Sequence, residues 1–432
     1  MSSVTVGVIG LILMVVLFLV GVPVAVAMTV VGFAGAVYLT TMTAGLSMLV
    51  SDFYTNFSAY SFSPMPMFIL MGSICFYSGI SSKLFDSANS LLGGVKGGLA
   101  MATVGASALF GALTGSANAA AAAMGKVALP EMQRYKYNDL VSTPSIAAGG
   151  CLGILIPPSG VAIIYGTLTQ QSISKLFIAG LIPGIVLTLI FCINIWATCK
   201  LHPDYAPASP KTTLYQKLHD LLGIIDMLLL FLLVIGGMFF GWFTATQSGA
   251  IGAAGAFVLG VIKRNLSWED IKASLVDTVE MSCMVMALVA GAAVFGHFMT
   301  ISRIPSALSA FISGLPLPNF VVMLLIILLY FVGGCFMDSM AMVLITVPIL
   351  YPIVIQMGYD PLWFCVIIII TCGMGLLTPP VGLNVYIVAN MVPDVPMTRI
   401  FRGCMPFLIS MWVLTFIMMF VPQLATWLPG LM

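Results

Sequence analysis

The sequence predicts an all-α membrane protein that crosses the bilayer many times and consists of two related halves. Of its 432 residues, 61% are hydrophobic and 7% are charged. Apolar runs of 17 or more residues recur along the chain, and about 20 such residues span a bilayer as a helix. The runs are continuous rather than alternating, which excludes a membrane β-barrel. At this length the chain has room for roughly ten to twelve crossings.

A repeated motif built around a doubled proline relates the two halves. Residues 149–160 read GGCLGILIPPSG and residues 371–382 read TCGMGLLTPPVG, at an offset of 222 residues. The same offset aligns Ser116 with Asp338, Pro130 with Pro352, and Tyr137 with Tyr359. Proline breaks a helix, and in hydrocarbon a broken helix survives only where protein or a polar cavity surrounds it. Broken spans at matching places in two halves indicate the binding site of a transporter.

The first half, residues 1–199, contains about five crossings and one re-entrant hairpin. The hairpin covers about residues 98–130, where two short apolar arms meet at the polar Gly115-Ser116. The broken helix follows at about residues 142–169. The other predicted elements are spans near Val4–Val20, Val24–Thr40, Pro64–Ile80 and Phe177–Thr198, and an interfacial segment at Ser81–Lys96.

Residues 200–221 are polar, with three prolines and three lysines, and they form a predicted linker between the halves. The second half, residues 222–432, repeats the plan of the first. Its hairpin covers about residues 319–351 and its broken helix about residues 361–391. The other predicted elements are spans near Asp226–Trp242, Thr244–Ile262, Ala273–Ile301 and Arg402–Trp427, and an interfacial segment at Ser302–Pro316.

An odd number of crossings in each half requires the two halves to be inverted relative to each other. Basic residues support this, because cytoplasmic loops of membrane proteins carry an excess of lysine and arginine. A cytoplasmic linker places twelve of the 15 basic residues on the cytoplasmic side and only Lys175 and Arg303 outside, with Lys126 in a hairpin arm. Both termini are then periplasmic. The net charge of +1 gives no indication of nucleic-acid binding.

The hairpin tips and the proline breaks carry the polar chemistry. A helix that ends inside the membrane exposes unpaired amides at its N-terminus and unpaired carbonyls at its C-terminus. The amides favour an anion, whereas the carbonyls, together with side-chain oxygens, favour a hard cation such as sodium. Carbonyls near Gly153–Pro157 and near Gly375–Pro379 would face the tips.

Asp338 is the one acid that this topology places near the middle of the membrane, and a buried carboxylate needs a cation or strong hydrogen bonds. We expect it to bind the coupling ion, although it could also cap the second hairpin arm. Ser116 and Asn118 could bind an ion or serve as helix caps and packing contacts. Thr378 could add a hydroxyl. Asn384 could contact the ion or the substrate, or could serve helix packing.

Other classes of site lack support. None of the nine cysteines forms a Cys-x-x-Cys pair, so neither a disulfide nor a metal centre is expected. His297 lies in an apolar stretch, where a hydrogen-bonded structural role is expected rather than a proton relay. The sequence has no P-loop, no Gly-x-Ser-x-Gly and no His-Glu-x-x-His motif, so we expect no enzyme.

These segments resemble the large membrane subunit of TRAP transporters (tripartite ATP-independent periplasmic transporters). The resemblance is carried by TGSANAAAAAMGKVALPEM with GILIPPSGVAIIYG, and by MDSMAMVLITVPILYPIVIQMGYDP with GMGLLTPPVGLNVY. The tail RGCMPFLISMWVL and VPQLATWLP is also similar, so the resemblance covers nearly the whole chain.

The resemblance implies a protein of the ion-transporter superfamily, with a scaffold and a mobile transport domain that moves as an elevator. It implies a small four-helix membrane subunit and a soluble periplasmic binding protein as partners. The substrate would be an organic anion such as a C4-dicarboxylate or a sialic acid, imported with sodium across the bacterial inner membrane. Alanine at position 117 departs from the expected pattern of the first tip.

The predicted site residues form two sets, of which the sodium ligands are carried over by motif from the resemblance. The sodium ligands would be Ser116, Asn118, Gly153, Pro157, Asp338, Ser339, Gly375 and Thr378. The substrate-binding residues would be Ser116, Asn118, Ser159, Asp338 and Asn384. Two alternatives stay open: a self-sufficient carrier of the same superfamily, and a membrane-embedded enzyme or channel.

Overall fold

The protein consists of apolar helices, and two of them are interrupted at the predicted proline pairs. The computed structural model describes residues 2–92, 94–207, 224–313 and 317–432, and these residues contain helices but no β-strand. Residues 208–221 of the predicted linker lie outside that description.

Among the described residues, six helical segments are long and apolar enough to cross a membrane: Asp139–Thr169, Ile173–Leu201, Ala245–Ile262, Trp268–Ile301, Ser339–Gln356 and Met397–Phe420. A seventh span is possible if Met42–Ser58 and Tyr60–Tyr77, which meet at a 52° bend, are counted as one. The prediction of a helical membrane protein with many crossings is therefore confirmed.

Ten helices form the described part of the first half, and ten form that of the second. The first ten are α1 (Ser3–Leu19), α2 (Val24–Leu39), α3 (Met42–Ser58), α4 (Pro64–Tyr77), α5 (Ile80–Leu92), α6 (Gly98–Thr114), α7 (Ala117–Arg134), α8 (Asp139–Leu155), α9 (Gly160–Thr169) and α10 (Ile173–Leu201). The second ten are α11 (Ile225–Phe239), α12 (Ala245–Ile262), α13 (Trp268–Ile301), α14 (Ile304–Ser313), α15 (Asn319–Gly334), α16 (Ser339–Gln356), α17 (Pro361–Gly375), α18 (Leu383–Ala389), α19 (Met397–Phe420) and α20 (Gln423–Thr426).

Both predicted proline breaks interrupt their helices. The first separates α8 from α9 and the second separates α17 from α18, and the Pro157-Pro158 and Pro379-Pro380 bonds are cis. Both predicted hairpins are pairs of helices with a short turn between them: α6 with α7, and α15 with α16.

Helix α3 was not predicted, because polar residues divide its sequence. Asp52, Thr55 and Asn56 leave no continuous apolar run. The structure buries Asp52 and places its Oδ2 2.8 Å from Nδ1 of His297 on α13. The hydrogen bond to His297, in the other half of the chain, offsets the cost of burying the Asp52 carboxylate in an apolar environment. His297 accordingly has a hydrogen-bonding partner, as a structural role requires.

The helices pack as two groups. The first group consists of α1–α4 and α11–α13, and the second of α6–α10 and α15–α19, while α5 and α14 contact members of both. Within the first group, a Cβ at Gly32 of α2 would lie 2.8 Å from the Phe295 backbone of α13. Small residues let helix backbones approach this closely in a membrane.

In the second group, the two broken helices lie side by side. Asn384 Nδ2 on α18 donates a hydrogen bond to the Ala147 carbonyl of α8 at 3.0 Å. The Cys151 thiol on α8 donates to the Gly373 carbonyl of α17 at 3.3 Å. Both halves of the chain therefore contribute to one central unit.

Close packing of α6 on α8 generates a first prediction. A Cβ on Gly111 would overlap Gly153 Cα, whereas a Cβ on Gly105 of the same helix meets no atom within 4 Å. Gly111→Ala should destabilise the protein by about 1–3 kcal/mol through overpacking. Gly105→Ala should be neutral or stabilise by up to about 1 kcal/mol, since alanine is the better helix residue. Thermal unfolding midpoints in detergent compare the two, and equal midpoints would contradict the packing described.

Candidate functional site

A cavity of about 330 Å³ lies where the first hairpin tip and the first proline break meet α4 and α13. Its walls are mainly apolar and include Phe68, Phe76 and Phe110. Among the residues that the structure describes, none that lines the cavity is lysine, arginine or histidine. The polar and charged residues on its walls are Ser73, Thr114, Ser116, Ser159, Asp277 and Glu280.

Two helices begin at this cavity. Ser116 is the N-cap of α7 and accepts a hydrogen bond from Ala119 N at 3.4 Å. Ser159 is the N-cap of α9 and accepts one from Ala162 N at 3.3 Å. The first amides of each helix carry partial positive charge, which favours an anion at this wall of the cavity, whereas the opposite wall carries the carboxylates of Asp277 and Glu280.

A glycine at the first tip explains how the hairpin reaches the break. Gly115 has φ of 62°, a left-handed conformation that glycine adopts readily. A Cβ at this position would lie 2.6 Å from the Pro158 carbonyl oxygen. Its own carbonyl accepts a hydrogen bond from Gly160 N at 3.4 Å. The tip thus packs directly against the proline break.

Two residues predicted for the first sodium site, Ser116 and Gly153, are in contact here. A Cβ at Gly153 would lie 2.8 Å from the Ser116 carbonyl oxygen, so the bend and the tip touch. Asn384, on α18 of the other half, lies at the same place: a Cβ at Gly150 would be 2.8 Å from both its Nδ2 and the Ala117 carbonyl oxygen. Asn384 therefore belongs spatially with the first tip.

The second tip is built in the same way. Asp338 is the N-cap of α16 and accepts a hydrogen bond from Met340 N at 2.9 Å. The capping role is therefore observed, and it leaves carboxylate lone pairs for another ligand. Gly375 packs against the Gly334 backbone of the hairpin arm, and the Thr378 hydroxyl donates to the Met374 carbonyl at 2.8 Å.

The two tips approach each other through Met340. This residue lines the cavity beside Ser159, and its Cε would lie 2.7 Å from a Cβ at Gly160. The second hairpin therefore reaches the first proline break. The structure places Asp338 itself at the exposed turn of its hairpin rather than among the residues that line the cavity.

Three buried oxygens at the tips and breaks have no hydrogen-bond partner among the described residues: Asn118 Oδ1, Ser339 Oγ and Asn384 Oδ1. Buried polar atoms are nearly always paired, so an unpaired one indicates a missing ligand or water. Amide, hydroxyl and carbonyl oxygens suit a hard cation. All three residues were predicted site residues.

Sequence reasoning missed the acids on the opposite wall of the cavity. Asp277 and Glu280 lie one turn apart on α13, and both line the cavity. The Tyr77 hydroxyl of α4 donates a hydrogen bond to Asp277 Oδ2 at 2.8 Å. The signal in the sequence was the spacing of three residues, which puts both acids on one helix face. Only the packing of α13 against α4 shows which cavity that face lines.

Comparison with known proteins identifies the family of the chain. Residues 11–424 match the family described as the tripartite ATP-independent periplasmic transporter, DctM component. The C4-dicarboxylate TRAP transporter large permease protein DctM of Pseudomonas aeruginosa is 33% identical over 89% of each chain. The sialic acid TRAP transporter large permease protein SiaM of Vibrio cholerae is 31% identical over 95% of each chain.

A solved structure supports the fold alone. The MtrF antimetabolite efflux pump of Neisseria gonorrhoeae superposes with a TM-score of 0.61 at 13% identity, over 96% of this chain and 94% of the other. The sequence relatives are transporter permeases and not enzymes, which confirms the prediction that this chain is not an enzyme. The chain belongs to the DctM component family of tripartite ATP-independent periplasmic transporters.

Proposed function

We propose that this chain imports an organic anion by sodium-coupled secondary transport, with delivery of the substrate by a binding protein. The observation that carries the proposal is the convergence of two helix N-termini with unpaired buried oxygens at the hairpin tips. The helix N-termini suit a carboxylate and the oxygens suit sodium.

Sodium would bind at two places. The first would use Ser116, Asn118 and the bend from Gly153 to Pro157, and the second would use Asp338, Ser339 and the bend from Gly375 to Thr378. The unpaired oxygens of Asn118 and Ser339 fit one ligand position in each set. Bound sodium would supply positive charge beside the anion, and the residues that hold it would order the tips. Such coupling between two ligands typically amounts to about 1–3 kcal/mol.

The anion would bind between the tips. Ser116 and Ser159 present the N-termini of α7 and α9 to it, and Asn118, Asp338 and Asn384 complete the assigned set. Since the cavity lining has no basic side chain, the substrate charge would be balanced by helix amides and by sodium. A C4-dicarboxylate or a sialic acid is the substrate class we propose, because relatives carry those names.

We infer that the halves are inverted repeats. Cys151 and Gly373 occupy equivalent positions 222 residues apart, and they are joined by a hydrogen bond. Equivalent residues of two repeats touch where a two-fold axis passes between them. Inverted repeats around a central site of broken helices are typical of secondary transporters.

An elevator motion would separate the two groups of helices. The first group would be the scaffold and the second the transport unit, with α5 and α14 as connecting arms. The cavity lies between the groups, since α4 and α13 supply one wall and the first hairpin supplies the other. Movement of the transport unit would carry the tips past α4, where a Cβ at Gly72 would lie 2.8 Å from Thr114 Cα.

The partners follow from the same family. A tripartite transporter with a large permease implies a small membrane subunit and a periplasmic binding protein. We place the chain in the bacterial inner membrane with both termini in the periplasm and the linker in the cytoplasm. The distribution of basic residues supports that orientation.

Sodium binding can be measured without knowing the substrate. Sodium should raise the thermal unfolding midpoint of the purified chain relative to potassium at equal ionic strength. When the sodium concentration is 100 times the dissociation constant for sodium, the free energy of unfolding should increase by about 2.7 kcal/mol. Asp338→Asn should lose at least half of that gain, because asparagine still caps α16 but carries no charge.

Asp360 supplies the matched control for this prediction. It is also a helix N-cap, bonded by Leu362 N at 2.8 Å and Trp363 N at 3.0 Å, and it caps the opposite end of α17 from the proline break. Asp360→Asn should keep the full sodium effect. An undiminished sodium effect in Asp338→Asn would refute the assignment of the second site.

Dependence on the binding protein separates our proposal from the alternative of a self-sufficient symporter. In proteoliposomes that contain this chain and its small subunit, either labelled succinate or labelled N-acetylneuraminate should enter, and only with an inward sodium gradient and a cognate periplasmic binding protein. Uptake at the full rate without the binding protein would favour the self-sufficient carrier. Solute-independent currents would favour a channel.

A further inference from the structure

Two carboxylates line the cavity on α13, and a lysine of α7 lies beside the lining. Helix α7 of the second group carries Ala119, Ala122 and Lys126 at spacings of three and four residues, so these side chains lie on one helix face. Ala119 and Ala122 line the cavity. Lys126 continues the same face one turn further from the tip.

Lys126 is held close to the cavity wall. Its Nζ lies 5.6 Å from the centroid of the Phe76 ring, and Phe76 is a lining residue. A lysine over an aromatic face is attracted by the ring but keeps its hydrogen-bonding capacity. Among the described residues, no carboxylate lies within salt-bridge distance of this lysine in the present conformation.

Glu280 faces the cavity from the other wall. It lies on α13 of the first group and is exposed, and none of the described residues forms a hydrogen bond or ion pair with it. Asp277, one turn earlier, is already bonded by the Tyr77 hydroxyl. Glu280 is therefore the carboxylate that is available to a cation on the opposite wall.

We propose that Lys126 and Glu280 form a salt bridge that closes this end of the cavity when α7 moves against α13. The alanines on the α7 face leave room for the two helices to approach, because small side chains permit close packing in a membrane. The approach brings the lysine that now rests on Phe76 to the carboxylate that now has no partner. This inference rests on the proposed function, since it requires the two helix groups to move relative to each other.

The consequence for transport is a defined closed state. While an anion occupies the cavity, its negative charge repels that of Glu280, and this repulsion keeps α7 and α13 apart. After the anion has left, Lys126 is free to pair with Glu280 and the empty cavity closes. The salt bridge would thus stabilise the closed state of the unloaded carrier relative to its open state.

Charge exchange tests the salt bridge directly. Ala122→Cys, on a Cys283→Ser background that removes the exposed native thiol, reports cavity opening through its reaction rate with a membrane-impermeant thiosulfonate. Lys126→Glu and Glu280→Lys should each raise that rate at least about twofold by depopulating the closed state. The double exchange should restore the rate of the parent, since the pair re-forms with reversed polarity.

Lys175→Glu, which reverses an exposed lysine in the first turn of α10 outside the cavity, should leave the labelling rate unchanged. Size-exclusion profiles identify variants that fail to fold, and the double exchange should also recover such a defect. Single exchanges without effect, or a double exchange no closer to the parent than the singles, would overturn the proposal. The assay uses neither sodium nor substrate, so its failure is distinct from failure of the sodium test on Asp338→Asn.

Discussion

The structure depends on one constraint, which is that every backbone amide and carbonyl inside a bilayer must find a partner. The chain breaks helices at two proline pairs and ends four more helices at the hairpin tips, so it creates many free backbone groups away from water. It meets the constraint by packing the helix ends against one another, so that their free backbone groups form hydrogen bonds. At the first break, for example, the Gly115 carbonyl accepts a hydrogen bond from Gly160 N. Three buried side-chain oxygens of the described tips and breaks, on Asn118, Ser339 and Asn384, remain without a partner.

Glycine makes this packing possible. Gly111 touches Gly153, and Gly334 touches Gly375, so each hairpin arm meets its broken helix at a pair of glycines. Any side chain at these contacts would push the helices apart and would move the tip away from the break. The polar chemistry of the tips is therefore inseparable from the packing behind them.

Much of this architecture was predictable, because proline and glycine act locally. The positions of both breaks and both hairpin turns follow from Pro157-Pro158, Pro379-Pro380 and the polar tips. Helix α3 was not predictable in this way, since the partner that compensates Asp52 is 245 residues distant. Asp277 and Glu280 were not predicted as site residues for a related reason. Their spacing predicts that they share one face of a helix, but which cavity that face lines depends on how helices from both halves pack. Asn384 was predicted as a site residue near the second break. Its position beside the first tip was not predictable, because that tip belongs to the other half of the chain.

The hydrogen bond between Cys151 and Gly373 bears on the symmetry of the chain. Two identical polypeptides related by a two-fold axis would place the same residue at both positions, and a single thiol-to-carbonyl bond could not then satisfy the symmetry. Within one polypeptide the two positions can differ, with a thiol donor at Cys151 and a backbone carbonyl acceptor at Gly373. A single chain thereby permits an asymmetric contact that a dimer of separate, identical halves could not encode.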